Sequence, residues 1–260
     1  MVEVQDQQVH IEPTRAAMGA LAARQVAAYL REVLSQKHAA RMIFAAAPSQ
    51  SEMLAALVEE KDIDWARVEA FHMDEYIGLP PEAPQNFRNW LKSAFFDRVP
   101  LGHVHLIEPA ADAEACAAGY AELLAAHPID IVCMGIGMNG HIAFNDPSTT
   151  FDDPLDVKIV VLQEESRQQQ VFDGLFPVLD AVPERAISLT IPRLLRADRL
   201  FCCVPGKLKE PAVTRALRGP ITPDSPASIL RTHKGCSIYL DAESSAGLSG
   251  SDGYAQAGSR

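Results

Sequence analysis

The chain has 260 residues, 48% hydrophobic and 22% charged, enough apolar material for one large α/β domain and unlike a disordered or low-complexity chain. Its net charge of -11 opposes phosphate backbones and anionic lipid, no block of Lys or Arg offsets that field, and no run of about 18 apolar residues is present to cross a bilayer, so neither nucleic acid nor membrane is expected as a partner. The segment Met1 to Pro13 is polar and acidic rather than basic and then apolar, which speaks against a secretion signal and for a cytoplasmic location.

Apolar residues at three and four spacing from Met18 to Leu34 predict an amphipathic helix over Thr14 to Gln36. A compact apolar run, Met42 to Ala47, reads as a strand, and Met53, Leu54, Leu57 and Val58 as the helix after it, with Ser49 and Glu52 in the spacing of a capping box. The alternation continues with strand Val68 to Met73, helix Asn86 to Phe96, strand His103 to Ile107 and helix Ala111 to Ala126. Further strands are predicted at Ile129 to Met134, Val157 to Leu162, Ala186 to Ile191, Leu200 to Val204 and Ser237 to Leu240, with helices at Gln163 to Phe172 and Lys207 to Leu217. This rhythm predicts a single doubly wound α/β domain over residues 1–243, Rossmann-like, with one mostly parallel sheet and helices on both faces. Residues 244–260, rich in Ser, Gly and Ala, read as a flexible tail.

Cys116, Cys133, Cys202, Cys203 and Cys236 lack CxxC spacing and mostly lie in apolar runs, which predicts buried reduced thiols. His103 and His105 alternate along a strand, so no metal site is expected.

Parallel sheets bind ligands beyond the carboxyl ends of their strands, which singles out the loops Pro48 to Glu52, Asp74 to Pro84 and Gly135 to Pro147. In the last, Gly135, Gly137 and Gly140 permit close approach of a ligand to the backbone, and Asn139, His141 and Asp146 supply hydrogen bonding and proton transfer. His141 fits either a proton-transfer group oriented by Asp146 or a packed loop histidine. In Asp74-Glu75 successive side chains point to opposite sides, so one carboxylate can serve as a general base in a cleft while the other makes a structural contact; two solvated turn residues are the plainer alternative. His72, on the preceding strand, reads as a core or sheet-face residue rather than a catalytic one.

Phe71 to Pro80 (FHMDEYIGLP) and Gly135 to Pro147 (GIGMNGHIAFNDP) together resemble the glucosamine-6-phosphate deaminase (isomerase) family, whose fold is shared with 6-phosphogluconolactonases. The likeness extends more weakly from about Ala45 to Asp241. It implies an enzyme that converts an amino sugar phosphate and water to a ketose phosphate and ammonia with no cofactor, working as a monomer or a symmetric homo-oligomer. By the same resemblance, His141 opens the sugar ring, Asp74 moves the C2 proton to C1, and Asn139 and Asp146 orient the histidine. Since the family usually has Glu where Asp146 stands and Asn139 carries no charge, the protonated ring is expected to rest mainly on Asp146. Lys209 matches a phosphate-contacting lysine, and Ser49 is available to an anion or as a helix cap. The family's phosphate-binding arginine is missing: Gln168, Gln169 and Gln170 occupy its neighbourhood, and Arg167 is the nearest substitute. A lactonase-type hydrolase and a non-catalytic sugar-phosphate sensor are the alternatives; Tyr76 and the run Ile142 to Asp146 favour the deaminase branch.

Overall fold

The computed structural model describes residues 8–109 and 112–248. Seven strands form a sheet in which every neighbouring pair runs parallel: β1 (Gln8–Glu12), β10 (Cys236–Asp241), β9 (Arg199–Val204), β6 (Ile131–Met134), β2 (Ala40–Phe44), β3 (Val68–His72) and β5 (His103–His105), in that spatial order. All five β2 residues are buried, as expected of a strand covered on both faces. Alternate side chains divide between two cores. Met42, Phe44, Cys133, Phe201 and Tyr239 pack with α1 (Arg15–Gln36) and α2 (Ser51–Val58), whereas Ile43, Val132, Met134, Cys202 and Leu240 pack with α4 (Ala113–Ala125) and α7 (Glu210–Arg218). This is the doubly wound α/β arrangement expected from the alternating pattern.

The single sheet requires correction. Segments 157–162 and 186–191 do not join the parallel sheet. They form β7 (Val157–Val161) and β8 (Arg185–Leu189), antiparallel to each other, and β8 pairs in turn with β4 (Asp74–Tyr76), within a segment expected to be loop. Met73 is the crossing point. Its N–H donates to Phe44 O on the parallel sheet (3.2 Å) and its carbonyl accepts from Leu189 N at the end of β8 (2.8 Å). Asp74 is thereby tied to both sheets. The strand expected to reach Ile191 stops sooner because Thr190 caps α6 (Ile191–Leu195), its Oγ1 accepting from Arg193 N.

Other boundaries differ for local reasons. Helix Asn86 to Phe96 is α3 (Phe87–Leu91) followed by a π-helical turn, Lys92–Phe96. No side-chain cap from Ser49 opens α2, and Glu52 instead pairs with Arg15 of α1 (2.5 Å), so the expected capping box is absent. An edge strand, β1, occupies part of the polar N-terminal segment. At the other end, Ser244, Ser245 and Leu248 are buried, and Ser244 exchanges hydrogen bonds with Asp241, so the ordered domain runs past the boundary expected at 243. Residues 249–260, the rest of the expected tail, lie outside the described residues. Four cysteines are buried, Cys116 is half-buried, and all five are free. Among the described residues no helix is long and apolar enough to cross a membrane.

Helices α1 and α2 approach closely enough that a Cβ on Gly19 would lie 2.8 Å from backbone atoms of Glu52 and Met53. Gly19→Ala gains about 1 kcal/mol of helix propensity but must push the helices apart, an overpacking cost of about 1–3 kcal/mol. Thermal unfolding of this variant is expected at a lower midpoint than wild type, whereas an exposed helical Gly→Ala change would raise it.

Candidate active site

A cleft of about 500 Å³, partly open to solvent, lies at the carboxyl ends of β2, β6 and β9 and beside β4. Asp74, Ser49, Gly137, His141 and Lys209 all line it, so most of the residues singled out from sequence meet in one place.

Alternation along β4 separates the two adjacent carboxylates. Glu75 has no exposed surface; it accepts from the backbone N–H groups of Tyr76, Phe87 and Arg88, each at 3.0 Å, and pairs with the Arg88 guanidinium at 3.3 Å. It thereby satisfies the free donors at the start of α3. Asp74 faces the cleft, and among the described residues no donor reaches its carboxylate. Burial, reinforced by the Glu75 charge, raises its pKa well above the ordinary carboxylate value. His72 is a core residue, as expected: Nδ1 bonds Asp74 O (2.9 Å) and Nε2 accepts from Ile107 N (2.8 Å), while burial lowers its pKa to about 3 and keeps it neutral.

The loop after β6 is built around His141. Gly137 N–H donates to His141 O (2.9 Å), and a Cβ on Gly137 would overlap the imidazole ring. Gly140 turns the chain at φ +97°, a region that favours glycine. His141 Nδ1 lies 2.8 Å from both Asn139 Oδ1 and Ser166 Oγ, but 3.5 Å from Asp146 Oδ1. Asp146 is thus the carboxylate that pairs with the ring, while the Asn139 amide oxygen and the Ser166 hydroxyl stand closer to Nδ1. Asp146 Oδ1 accepts from Asn139 Nδ2 (3.0 Å) and contacts Ser166 Oγ, and Oδ2 accepts from Gln163 N at the start of α5 (Glu164–Phe172) (3.0 Å). Burial works against the Asp146 charge, but the proximity and charge of His141, the Ser166 hydroxyl and the Gln163 N–H outweigh it and hold the carboxyl below its ordinary pKa. Sequence reasoning missed Ser166. It lies 25 residues beyond His141, and only the fold-back of β7 brings α5 to the loop.

At the far end of the cleft, Ser49 Oγ is near Gln50 Nε2 (3.2 Å) rather than capping a helix. Lys209 is buried at the start of α7, with no ion-pair partner among the described residues; burial, partly opposed by Asp173, lowers its pKa to about 8. Its turn is held by Asp241, whose carboxylate accepts from Gly206 N (3.0 Å). Arg167 does not serve as the substitute arginine. Its guanidinium donates to Leu179 O and Val182 O (3.0 Å each), away from the cleft. Gln169 and Gln170 line the cleft instead, Gln169 accepting from Met138 N (2.8 Å) and so fastening α5 to the His141 loop.

Because folding raises the pKa of Asp74, the folded state binds that proton more tightly than the unfolded chain, and stability falls as pH rises from the ordinary carboxylate value through the raised one. Asp74→Asn removes a buried charge. Its thermal midpoint is expected to exceed wild type by a margin that grows between pH 5 and pH 8, read by calorimetry across that range; a margin that shrinks would contradict the assignment.

The model for glucosamine-6-phosphate isomerases/6-phosphogluconolactonase matches residues 13–239. A glucosamine-6-phosphate deaminase of Streptococcus thermophilus is 34% identical over 193 residues, spanning 73% of this chain and 80% of the relative. One of Enterococcus faecalis is 30% identical over 203 residues, spanning 78% and 85%. In structure, the chain is similar to a monomeric glucosamine-6-phosphate deaminase, with a TM-score of 0.84 at 28% identity over 92% of this chain and 99% of that one. The 6-phosphogluconolactonase of Trypanosoma brucei shares the fold, with a TM-score of 0.76 at 18% identity over 94% and 99%. The breadth of the model match and the identity of these relatives show that the chain belongs to the glucosamine-6-phosphate isomerase/6-phosphogluconolactonase family of enzymes.

Proposed function

We propose that this enzyme converts glucosamine 6-phosphate, or a close amino sugar phosphate, and water to fructose 6-phosphate and ammonia. The observation that carries the reading is a buried carboxylate, Asp74, without a donor among the described residues, in the same cleft as a histidine whose Nδ1 is already engaged. With Nδ1 as the donor to Asn139, Nε2 is the nitrogen left for substrate. It takes the proton of the anomeric hydroxyl and returns one to the ring oxygen, which opens the pyranose. Ionised Asp74 then removes the C2 proton while O1 takes up the proton that the substrate's ammonium gives up, forming an enolamine, and Asp74 delivers its proton to C1; the resulting C2 iminium takes up water and expels ammonia. One base within reach of both carbons suffices, and exclusion of water strengthens it. The curated relatives of Streptococcus thermophilus and Enterococcus faecalis, both glucosamine-6-phosphate deaminases, support the same choice of substrate.

Lys209 and Ser49 are the proposed anion contacts, with Gln170 in place of a guanidinium, and catalysis calls on no cofactor. An uncompensated buried ammonium is costly unless an anion arrives to pair with it. Since its pKa is about 8, KM for the phosphorylated substrate is expected to rise as pH passes through that value. Lys209→Met should raise KM by about tenfold to 100-fold at pH 7, the scale of a lost charged hydrogen bond, and flatten its rise with pH. An unchanged pH dependence in the variant would remove Lys209 from the anion site.

The activity itself is tested by ammonia release from glucosamine 6-phosphate, with 6-phosphogluconolactone and unphosphorylated glucosamine in parallel. Release by wild type and loss on the order of 1,000-fold or more in Asp74→Asn are expected, the scale at which an essential proton-transfer group acts. No release by wild type overturns the reading, and lactone hydrolysis in its place would assign the chain to the hydrolase branch.

A further inference from the structure

We propose that Ser166 is the positioning residue through which Asp146 acts on His141, so that the orienting carboxylate reaches the ring across a serine hydroxyl. The inference deepens the proposed function and rests on it only for its kinetic arm.

The donor and acceptor inventory leaves one arrangement. Ionised Asp146 can only accept, so in its contact with Oδ1 the Ser166 hydroxyl donates. The remaining lone pairs of Oγ face Asn139 Nδ2 at 3.2 Å and His141 Nδ1 at 2.8 Å, and both of those nitrogens must then donate. The Asn139 amide is oriented independently, because its Oδ1 accepts from the His141 backbone N–H (3.1 Å), a group that can only donate. Nδ1 therefore carries the proton, shared between Asn139 Oδ1 and Ser166 Oγ, and Nε2 faces the chemistry. Directly, Asp146 is 3.5 Å from Nδ1, too far for a good hydrogen bond; the hydroxyl closes that gap.

A serine with a purely helical role would turn its hydroxyl to solvent or to the carbonyl one turn back. Ser166 does neither. It is 1% exposed, and its contacts are the imidazole, the Asp146 carboxylate and the Asn139 amide, residues of a different loop. Removal of the hydroxyl would take from Asp146 Oδ1 one of its two donors and leave Asn139 as the ring's sole close acceptor among the described residues.

The test is a cycle of Ser166→Ala and Asp146→Asn in the full chain, read in two ways. In histidine-labelled protein, the hydrogen-bonded Nδ1–H proton of His141 is followed by NMR; Asp146→Asn should shift it in the wild-type background and shift it less when Ser166 is alanine, the Asn139 amide being the link that remains. For ammonia release, Asp146→Asn should lower kcat on the order of tenfold with Ser166 present and by clearly less without it, at unchanged KM. Ser166→Thr, which keeps the hydroxyl, should restore the response to Asp146→Asn. Ser166→Cys, a weaker donor of similar size, supplies a second knockout should the alanine variant not fold. Equal responses to Asp146→Asn with and without the serine hydroxyl would overturn the proposal. The resonance is read without turnover, so absence of ammonia release would sink the proposed reaction and leave the relay to be decided by NMR.

Discussion

The site depends on Glu75, a carboxylate with no exposed surface that accepts three backbone N–H groups and pairs with Arg88. It fixes the start of α3 against β4 and, because neighbours on a strand face opposite ways, turns Asp74 toward the cleft. The two carboxylates have the same chemistry and opposite environments. Burial raises the pKa of both; at Glu75 the backbone N–H groups and Arg88 oppose the rise, whereas at Asp74 the Glu75 charge adds to it, the setting that suits a carboxylate to act as a base. Met73, one residue earlier, ties this geometry to both sheets, so the base sits on scaffold rather than on a free loop.

The doubly wound pattern was legible because the strands of the parallel sheet are continuous apolar runs, such as Met42 to Phe44 and Ile131 to Met134, separated by helices of clear periodicity. The antiparallel sheet was not. Val157 to Val161 and Arg185 to Leu189 look the same in sequence whichever partner they take, and β4 is three residues of mixed polarity, too short for an alternation signal. Ser166 and Gln169 were illegible for the same reason, since their roles arise only when α5 is carried back against the His141 loop. Arg167 shows the converse error. Its chemistry suited an anion and its position was close, yet its guanidinium is spent on two backbone carbonyls.

Deaminases and lactonases share this fold, so the fold alone does not select the reaction. The proposed assignment rests on Asp74 as a carbon-acid base in the same cleft as a histidine confined to one tautomer, and on a buried Lys209, without an ion-pair partner among the described residues, as the proposed anion contact. At the proposed anion end the cleft wall carries neutral Gln169 and Gln170. It is where substrate choice would be tuned while proton transfer stays as it is.

Proposed transfer of hydrogen between adjacent carbons by one buried base is tested by turnover of glucosamine 6-phosphate deuterated at C2, with the fructose 6-phosphate product examined by NMR under single-turnover conditions. A single shielded carboxylate predicts deuterium at C1 of the product. Product whose new C1 hydrogen comes entirely from solvent would contradict it.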